Sequence, residues 1–587
     1  MKKILSAYLI LLGALVGTIV ISRFSEEFFA LFHQSSDEHL LIAFFSISVL
    51  CILSFVIYHL SVKTVFPSFV VAIFFGIAAQ PLLGGIVGEK SLLNVIVGAG
   101  ATLILFSGGL ETPFENFKKI IWKILSLSFL GLLFTAVVFS FGVHAIGNLV
   151  GITVPISVAV LLGAILASTD PAAIIPVLRR LRFQKRATKD LIISESAVTD
   201  VTGTLLTLAF IGILAHNSLA SISASYTGLF TREVGHILFE EILFGVIFGG
   251  IGYLLLNFLS KFTKNGGEES EAHAAYFLFV PIAIFTLAVA FGGSGYLAAF
   301  VAGLLFVMSK HLHHTERFFN HTIEGFFKPT IFILLGALVD VDSLIQYAGI
   351  GILAAVLFMF VIRPISVLIA LGPFSFFGKE RFNIRELFFI SFVRETGAIP
   401  AVLLVTVVSS GISGLDGLVP IGMWVILATL IIEPPLTPWV AKYLKVATPI
   451  SDKKALHLSR ISPFVVLGSR GYSFMDRLPR VAEWASKHHI HSVVLLHCLE
   501  DKYTEELAKD IGEQAEVAFK QINEKRSAVG ESDIDFEYIS RKGFLQDNID
   551  EISRQRSNVT TIFVGRKVLD FRLEDIKKLS VPIFFID

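Results

Sequence analysis

Charged residues are scarce in this chain. Asp, Glu, Lys and Arg make up 16% of its 587 residues, against about 25% in a soluble globular domain. The two signs balance at 48 residues each, so no basic excess exists to condense on phosphates, and nucleic-acid binding driven by bulk charge is excluded. Cysteine occurs twice, which excludes a disulfide scaffold. Cys51 and Cys498 fall in stretches of different character, and each is expected as a buried free thiol. Collagen-like and intrinsically disordered chains are excluded by composition. What is plentiful is apolar: 54% of residues, 55 of them Phe, with a mean hydropathy of +0.75. That is the composition of a multi-span membrane protein.

The few charges are unevenly placed, with 43 of the 96 lying in residues 452–587. The step near residues 448–454 divides the chain into a transmembrane domain, 1–448, a linker, 449–461, and a hydrophilic domain, 462–587. A helix crossing hydrocarbon needs about 20 mostly apolar residues. Fourteen stretches qualify: 4–22, 38–60, 64–83, 92–110, 120–147, 156–178, 190–214, 233–259, 274–291, 295–309, 323–345, 349–371, 386–409 and 418–441. The first is read as a retained span, because it is long for a signal peptide and has no clean cleavage site. With the N-terminus in the cytoplasm, the inward segments carry 20 Lys/Arg and the outward loops three, Arg23, Lys90 and Arg232. The positive-inside rule then places both termini in the cytoplasm of a multi-pass protein of the cell membrane.

An ionisable group at bilayer depth costs several kcal/mol and marks function by default. Span six contains Ser168-Thr169-Asp170-Pro171. Proline lacks an N–H and disfavours helix at the preceding residue, while Ser/Thr/Asp before Pro is how a helix starts. A helix start in mid-membrane means a broken span, tolerated where backbone is buried in protein or lines a cavity; a simple proline kink is the alternative. Span seven contains Ser194-Glu195-Ser196-Ala197-Val198-Thr199-Asp200. Ser196 and Asp200 share a helical face, whereas Glu195 and Asp200 lie about 140° apart around the axis. Asp200 is therefore assigned to a cavity with Asp170, and Glu195 to a separate ion pair. Arg363 precedes Pro364 in span twelve. Lys328 begins span eleven, from where it could snorkel to headgroups. Span thirteen carries a second helix-breaking signature, Arg394-Glu395-Thr396-Gly397-Ala398-Ile399-Pro400. Spans six and thirteen run in opposite directions, and paired broken helices in inverted positions point to a secondary transporter with a midplane site.

Carboxylates flanked by hydroxyls and freed carbonyls make a hard-oxygen cage that suits a hard cation. The spans hold no His/Cys set with zinc spacing. An aspartate titrates near pH 3.9 in water, and both desolvation and a neighbouring carboxylate raise that value. Such a pair could hold a proton near neutral pH and release it to an arriving cation, which is the chemistry of antiport.

These motifs also carry a resemblance. Thr169-Asp170-Pro171, Glu195-Ser196 with Asp200, Arg363-Pro364, the Arg394 to Ile399 segment and Leu105-Phe106-Ser107-Gly108-Gly109-Leu110-Glu111 resemble the monovalent cation:proton antiporter superfamily, most closely its sodium/proton exchanger (NhaP-like) branch, over residues 38–445. The resemblance implies an all-α polytopic domain of 13 core helices plus one N-terminal helix, with inverted repeats and two crossed broken helices. It implies a homodimer that exchanges Na+, or alternatively K+ or Li+, for H+, for pH and cation homeostasis. By position, Asp200 would be the ion- and proton-binding carboxylate. Asp170 and Thr169 would line the site, and Ser196 would assist. Glu195 would pair with Arg363 as a structural brace, and Arg394 would support the second broken helix. Relatives place Asn or a second Asp before the essential Asp; this chain has Thr199. One titrating carboxylate at that step favours electroneutral, one-for-one exchange and leaves the choice of cation open. The Arg394 segment is also two residues longer, by Glu395 and Thr396, than the short Arg-Gly form of some relatives.

Residues 462–587 alternate strands and helices, and continuous apolar strands suggest a small parallel, doubly wound α/β sheet. This part is similar to the universal stress protein family. Gly468-Ser469-Arg470-Gly471 is a partial Gly-rich turn, no full G-x-G-x-x-G occurs, and Gly565 is followed by Arg566-Lys567 rather than a glycine-rich phosphate loop. A regulatory or dimerising domain without a resident cofactor is expected, with a nucleotide sensor as the alternative. His311, His313, His314 and His321 form a loop cluster, read as solvated, that in principle titrates near neutral pH. A cation-coupled solute symporter and a membrane sensor remain as other functions. An enzyme is disfavoured, since neither H-E-x-x-H nor G-x-S-x-G occurs.

Overall fold

A computed structural model describes residues 2–30, 32, 37–61, 67–112, 114–169, 174–179, 181–216, 219, 221–264, 275–307, 319–376, 381–449, 464–469, 475, 477–488, 490, 492–499, 505–527, 534–542, 548–549, 552, 559–565 and 583–586. The chain forms two compact units, Met1–Pro449 and Ile450–Asp587.

The first unit is helical. Its principal helices are α1 (Lys2–Ser22), α2 (Glu38–Ser61), α3 (Ser68–Ala79), α4 (Lys90–Glu111), α5 (Ile120–Val150), α6 (Ile156–Ala167), α7 (Ile175–Arg179), α8 (Arg186–His216), α9 (Arg232–Lys264), α10 (Ala275–Ala290), α11 (Gly295–Phe306), α12 (Lys328–Ala337), α13 (Ala348–Phe374), α14 (Ile384–Phe392), α15 (Ala398–Ser409) and α16 (Leu418–Tyr443). Among the described residues, eight helices are long and apolar enough to cross a membrane unaided, and five shorter ones are apolar. Helical backbone satisfies its own N–H and C=O groups, which is what a segment in hydrocarbon requires. The protein is therefore a multi-pass membrane protein.

Several of the shorter helices have an identifiable cause. Helix α6 stops at Ala167, because Ser168 is extended at φ −67° and ψ 146°. Helix α7 begins at Ile175. Helix α14 stops before Val393 (φ −91°, ψ 54°), and α15 starts after Gly397 (φ −121°, ψ −138°). Helix thus ends inside both stretches whose sequences carry breaking signatures. Ser168 and Thr169 stand at the first break, and Arg394, Glu395 and Thr396 at the second. Helices α6 and α15 pack against each other.

Most helices share one large apolar core. Close approach within it depends on glycine: a Cβ on Gly303 of α11 would lie 2.3 Å from the Phe106 carbonyl oxygen of α4, and one on Gly109 would lie 2.4 Å from the Phe300 oxygen. A second core gathers Ile174 and Leu178 of the α7 region, Val393 at the second break, and Val446 and Ala447 beyond α16. Beside it, β1 (Leu181–Phe183) pairs antiparallel with β2 (Ala447–Pro449).

Two expectations are settled at this level. Lys328, expected to reach for headgroups, is buried at 8% exposure, where α12 packs among α2, α3 and α15. Cys51 is half-buried and Cys498 buried, and no disulfide joins them.

The second unit contains a five-stranded parallel sheet in the order β5-β4-β3-β6-β7. Its strands are β3 (Phe464–Ser469), β4 (Ser492–Leu499), β5 (Asp535–Lys542), β6 (Val559–Gly565) and β7 (Ile583–Ile586). Alternate residues of a strand face opposite sides. Val465 and Leu467 accordingly enter one core with helices α17 (Leu478–Lys487) and α18 (Glu505–Ser527). Val466 enters a second core with Ile549 and Ile552. Both faces are covered, which explains why the strands read as unbroken apolar runs.

Candidate functional site

Helix α8 brings its side chains up to the first break. Ser196, Thr199, Asp200 and Gly203 recur at three- and four-residue spacing and so line one face. Asp200 is 7% exposed, and its Oδ1 accepts a hydrogen bond from Ser168 Oγ at 2.7 Å. The Ser196 hydroxyl donates to the Thr169 carbonyl, a group beyond the end of α6. The Thr169 and Thr199 hydroxyls are 3.1 Å apart. Thr199 also lies within donating distance of its own helix, 2.9 Å from the Ser196 carbonyl oxygen. Gly203 allows this contact, since a Cβ there would sit 2.7 Å from Ser168 Cβ. Asp170 falls outside the described residues, as do residues 171–173.

The opposite side of α8 carries different chemistry. Glu195 Oε1 pairs directly with Arg394 Nη2 at the second break, and both residues are buried. This differs from the Glu195–Arg363 brace implied by the resemblance. Arg363 instead stacks on the Phe358 ring at 4.4 Å, and its Nη2 lies 3.5 Å from the carbonyl oxygen of Leu166. That carbonyl belongs to the last turn of α6, where the break leaves acceptors open. The unwound backbone at Arg394 brings its guanidinium to α8, so the direct pair forms there. Arg363 remains within electrostatic reach of Glu195 and Glu433, as does Arg394. Two guanidiniums and two carboxylates are thus buried near one another, with Glu195 and Arg394 in direct contact.

Two features of this region escape the sequence reading. Glu433 of α16 is 2% exposed; its one signal is a carboxylate just before Pro434-Pro435 inside a span. Ser168 is legible as part of the break but not as the direct partner of Asp200. Glu395, an extra residue beside the short Arg-Gly form, is fully buried, and its Oε1 accepts the Ile174 backbone N–H at 3.0 Å. The nearby Thr396 and Thr429 hydroxyls are 2.7 Å apart. His321 is exposed, and His311, His313 and His314 lie outside the described residues.

The Asp200 side is a set of hard oxygens: one carboxylate, the four hydroxyls of Ser168, Thr169, Ser196 and Thr199, and the Thr169 carbonyl. Such a set can coordinate an alkali cation or carry a proton. The Glu195 side is already neutralised by Arg394. The division matches the angular separation of Glu195 and Asp200 around α8.

A family described as sodium/hydrogen exchanger, transmembrane, matches residues 46–443. The K(+)/H(+) antiporter NhaP of Alkalimonas amylolytica is 26% identical over 422 residues, covering 69% of this chain and 67% of that protein. The K(+)/H(+) antiporter NhaP2 of Shewanella oneidensis is 27% identical over 392 residues, covering 64% of this chain and 62% of that protein. The chain thus spans about two thirds of the length of these relatives. Among solved structures, the sodium proton antiporter MjNhaP1 from Methanocaldococcus jannaschii aligns with a TM-score of 0.55 at 21% identity, over 68% of this chain and 99% of that one, a likeness of fold. With the match covering most of its length and all of its broken-helix region, the chain belongs to the sodium/hydrogen exchanger family.

Proposed function

We propose that this protein is a secondary transporter, not an enzyme, that exchanges a monovalent alkali cation for H+ by alternating access. The observation that carries the reading is the contact between buried Asp200 and Ser168 at the break of α6. It sets a titratable carboxylate beside backbone that has left the helix. Asp200 is the carboxylate that binds either the cation or the proton. Thr169 and Ser196 supply further oxygens, and Asp170 follows Thr169 in sequence. The names of the relatives make K+ and Na+ the first cations to test, with Li+ as a third.

Thr199 contributes no second titrating group at the step before Asp200, which supports one-for-one, electroneutral exchange. Glu195 with Arg394, and Arg363 with Glu433, form the structural brace between helices. The architecture that goes with this reading has 13 core helices plus α1, inverted repeats, and crossed broken helices formed by α6–α7 and α14–α15. The excess of Lys/Arg on alternate connections supports cytoplasmic termini. The working unit is a homodimer, by analogy of family alone. Residues 462–587 form a cytoplasmic regulatory domain similar to universal stress proteins, a comparison that the parallel strand order β5-β4-β3-β6-β7 supports. Nucleotide binding there would require the switch point between β3 and β6.

The test is a dye-based exchange assay in proteoliposomes under an imposed pH gradient, with Na+, K+ and Li+ added separately. Cation-dependent dissipation of the gradient supports the proposal. Uptake of a cation without counter-movement of protons would identify a channel, and proton movement dependent on an organic solute a symporter.

A further inference from the structure

We infer that Glu395 is a positioning residue for the cation site, and that it acts by tying the two broken helices together through the Ile174 backbone. The inference rests on the transport reading above but goes beyond it, since that reading assigns Glu395 no part. Glu395 stands in the unwound stretch between α14 and α15 and is fully buried. Its Oε1 accepts the N–H of Ile174 at 3.0 Å, a bond between residues 221 positions apart in the chain. Ile174 immediately precedes α7, whereas Ser168 and Thr169 immediately follow α6. The first break is thus held on its α6 side by Ser196 on the Thr169 carbonyl, and on its α7 side by Glu395 on the Ile174 amide.

With both sides of the break fixed, the Thr169 carbonyl and the Ser168 hydroxyl have little freedom to shift relative to Asp200. Positioning of this kind matters because a misplacement of about 1 Å in a binding or reacting group can cost on the order of a hundredfold. The neighbouring contacts reinforce the anchor. Ile174 and Val393 belong to the same apolar core, and the Thr396 backbone N–H, next to Glu395, donates to Thr429 Oγ1 at 3.3 Å. The brace between Glu195 and Arg394 joins α8 to this same unwound stretch. Glu395 therefore extends the link from α8 and the second break to the first break. What the position requires is a hydrogen-bond acceptor of the right reach. A buried backbone N–H left without one changes an equilibrium by roughly tenfold.

The experiment compares Glu395→Ala, Glu395→Gln and the wild-type full chain in proteoliposomes, measuring KM and maximal rate for K+ and Na+ and thermal unfolding in detergent. Glu395→Ala should raise the cation KM about tenfold with a smaller change in maximal rate. Glu395→Gln, whose amide oxygen can accept the same N–H, should restore KM to within about twofold of wild type. An unchanged KM in Glu395→Ala overturns the inference, as does a Gln variant that folds but behaves like Ala, because charge rather than acceptance would then be the operative property. If Glu395→Ala fails to fold, the Gln variant decides in the same terms. Absence of exchange in the wild type would instead count against the transport reading itself.

Discussion

At the scale of single residues, α8 separates two tasks that its sequence places only five positions apart. Asp200 meets a hydroxyl at the first break, while Glu195 meets a guanidinium at the second. The two carboxylates should respond differently to neutralisation. Asp200→Asn keeps the shape and removes the titrating group, so cation-coupled proton movement should fall to the level of empty vesicles while the protein still folds. Persistence of full exchange in that variant would remove Asp200 from the mechanism. Glu195→Gln leaves Arg394 buried without its charged contact partner. Removing one partner of a buried pair costs about 3–5 kcal/mol, so the expected result is a lower unfolding temperature in detergent. The assignment of Glu195 as a brace fails if stability is normal and transport is lost. Much of this is legible in the sequence: the face shared by Ser196 and Asp200, and the divergence of Glu195, follow from helical periodicity. Which arginine meets Glu195 does not follow, because Arg363 and Arg394 both lie far away in the chain and both are buried.

At the scale of elements, the molecule depends on helices that stop and on helices that touch. The α6 and α14–α15 breaks are legible because proline and glycine have local, backbone-level effects. The close approach of α4 and α11 is not, since Gly109 and Gly303 are separated by a large part of the chain. In Gly303→Leu the new side chain meets backbone rather than a flexible side-chain end, so the helices must separate. Overpacking of this kind costs about 1–3 kcal/mol or more. Folded yield and unfolding temperature should both drop, while a control such as Gly250→Ala, where no atom lies within 4 Å of a built Cβ, should change neither by much. Comparable losses in both variants would count against the contact as the cause, since Ala and Leu both favour helix over Gly.

At the scale of the whole molecule, the candidate cation site and its brace lie within Met1–Pro449, and the parallel sheet lies within Ile450–Asp587. A chain ending at Pro449 should therefore retain exchange in proteoliposomes, with any change confined to its regulation. Complete loss of exchange by a well-folded truncation would make the second unit part of the transport machinery. Stoichiometry is also a property of the whole cycle. With membrane voltage set by a gradient of a permeant anion, since K+ is itself a candidate substrate, the cation/H+ exchange equilibrium should not shift, and a shift would refute one-for-one exchange.

Hydropathy, charge placement and helix-breaking residues are enough to establish a membrane protein with interrupted helices, a separate hydrophilic part and a carboxylate of functional interest, because each depends on neighbours within one or two turns of chain. Tertiary structure decides the rest: that Arg394 rather than Arg363 contacts Glu195, that Ser196 reaches the Thr169 carbonyl, that Ser168 is a direct partner of Asp200, and that Glu395 reaches the amide of Ile174. The physical reason is common to all four. A buried polar group takes whichever partner the packing of distant helices brings within about 3 Å, and no periodicity in a single chain records that distance.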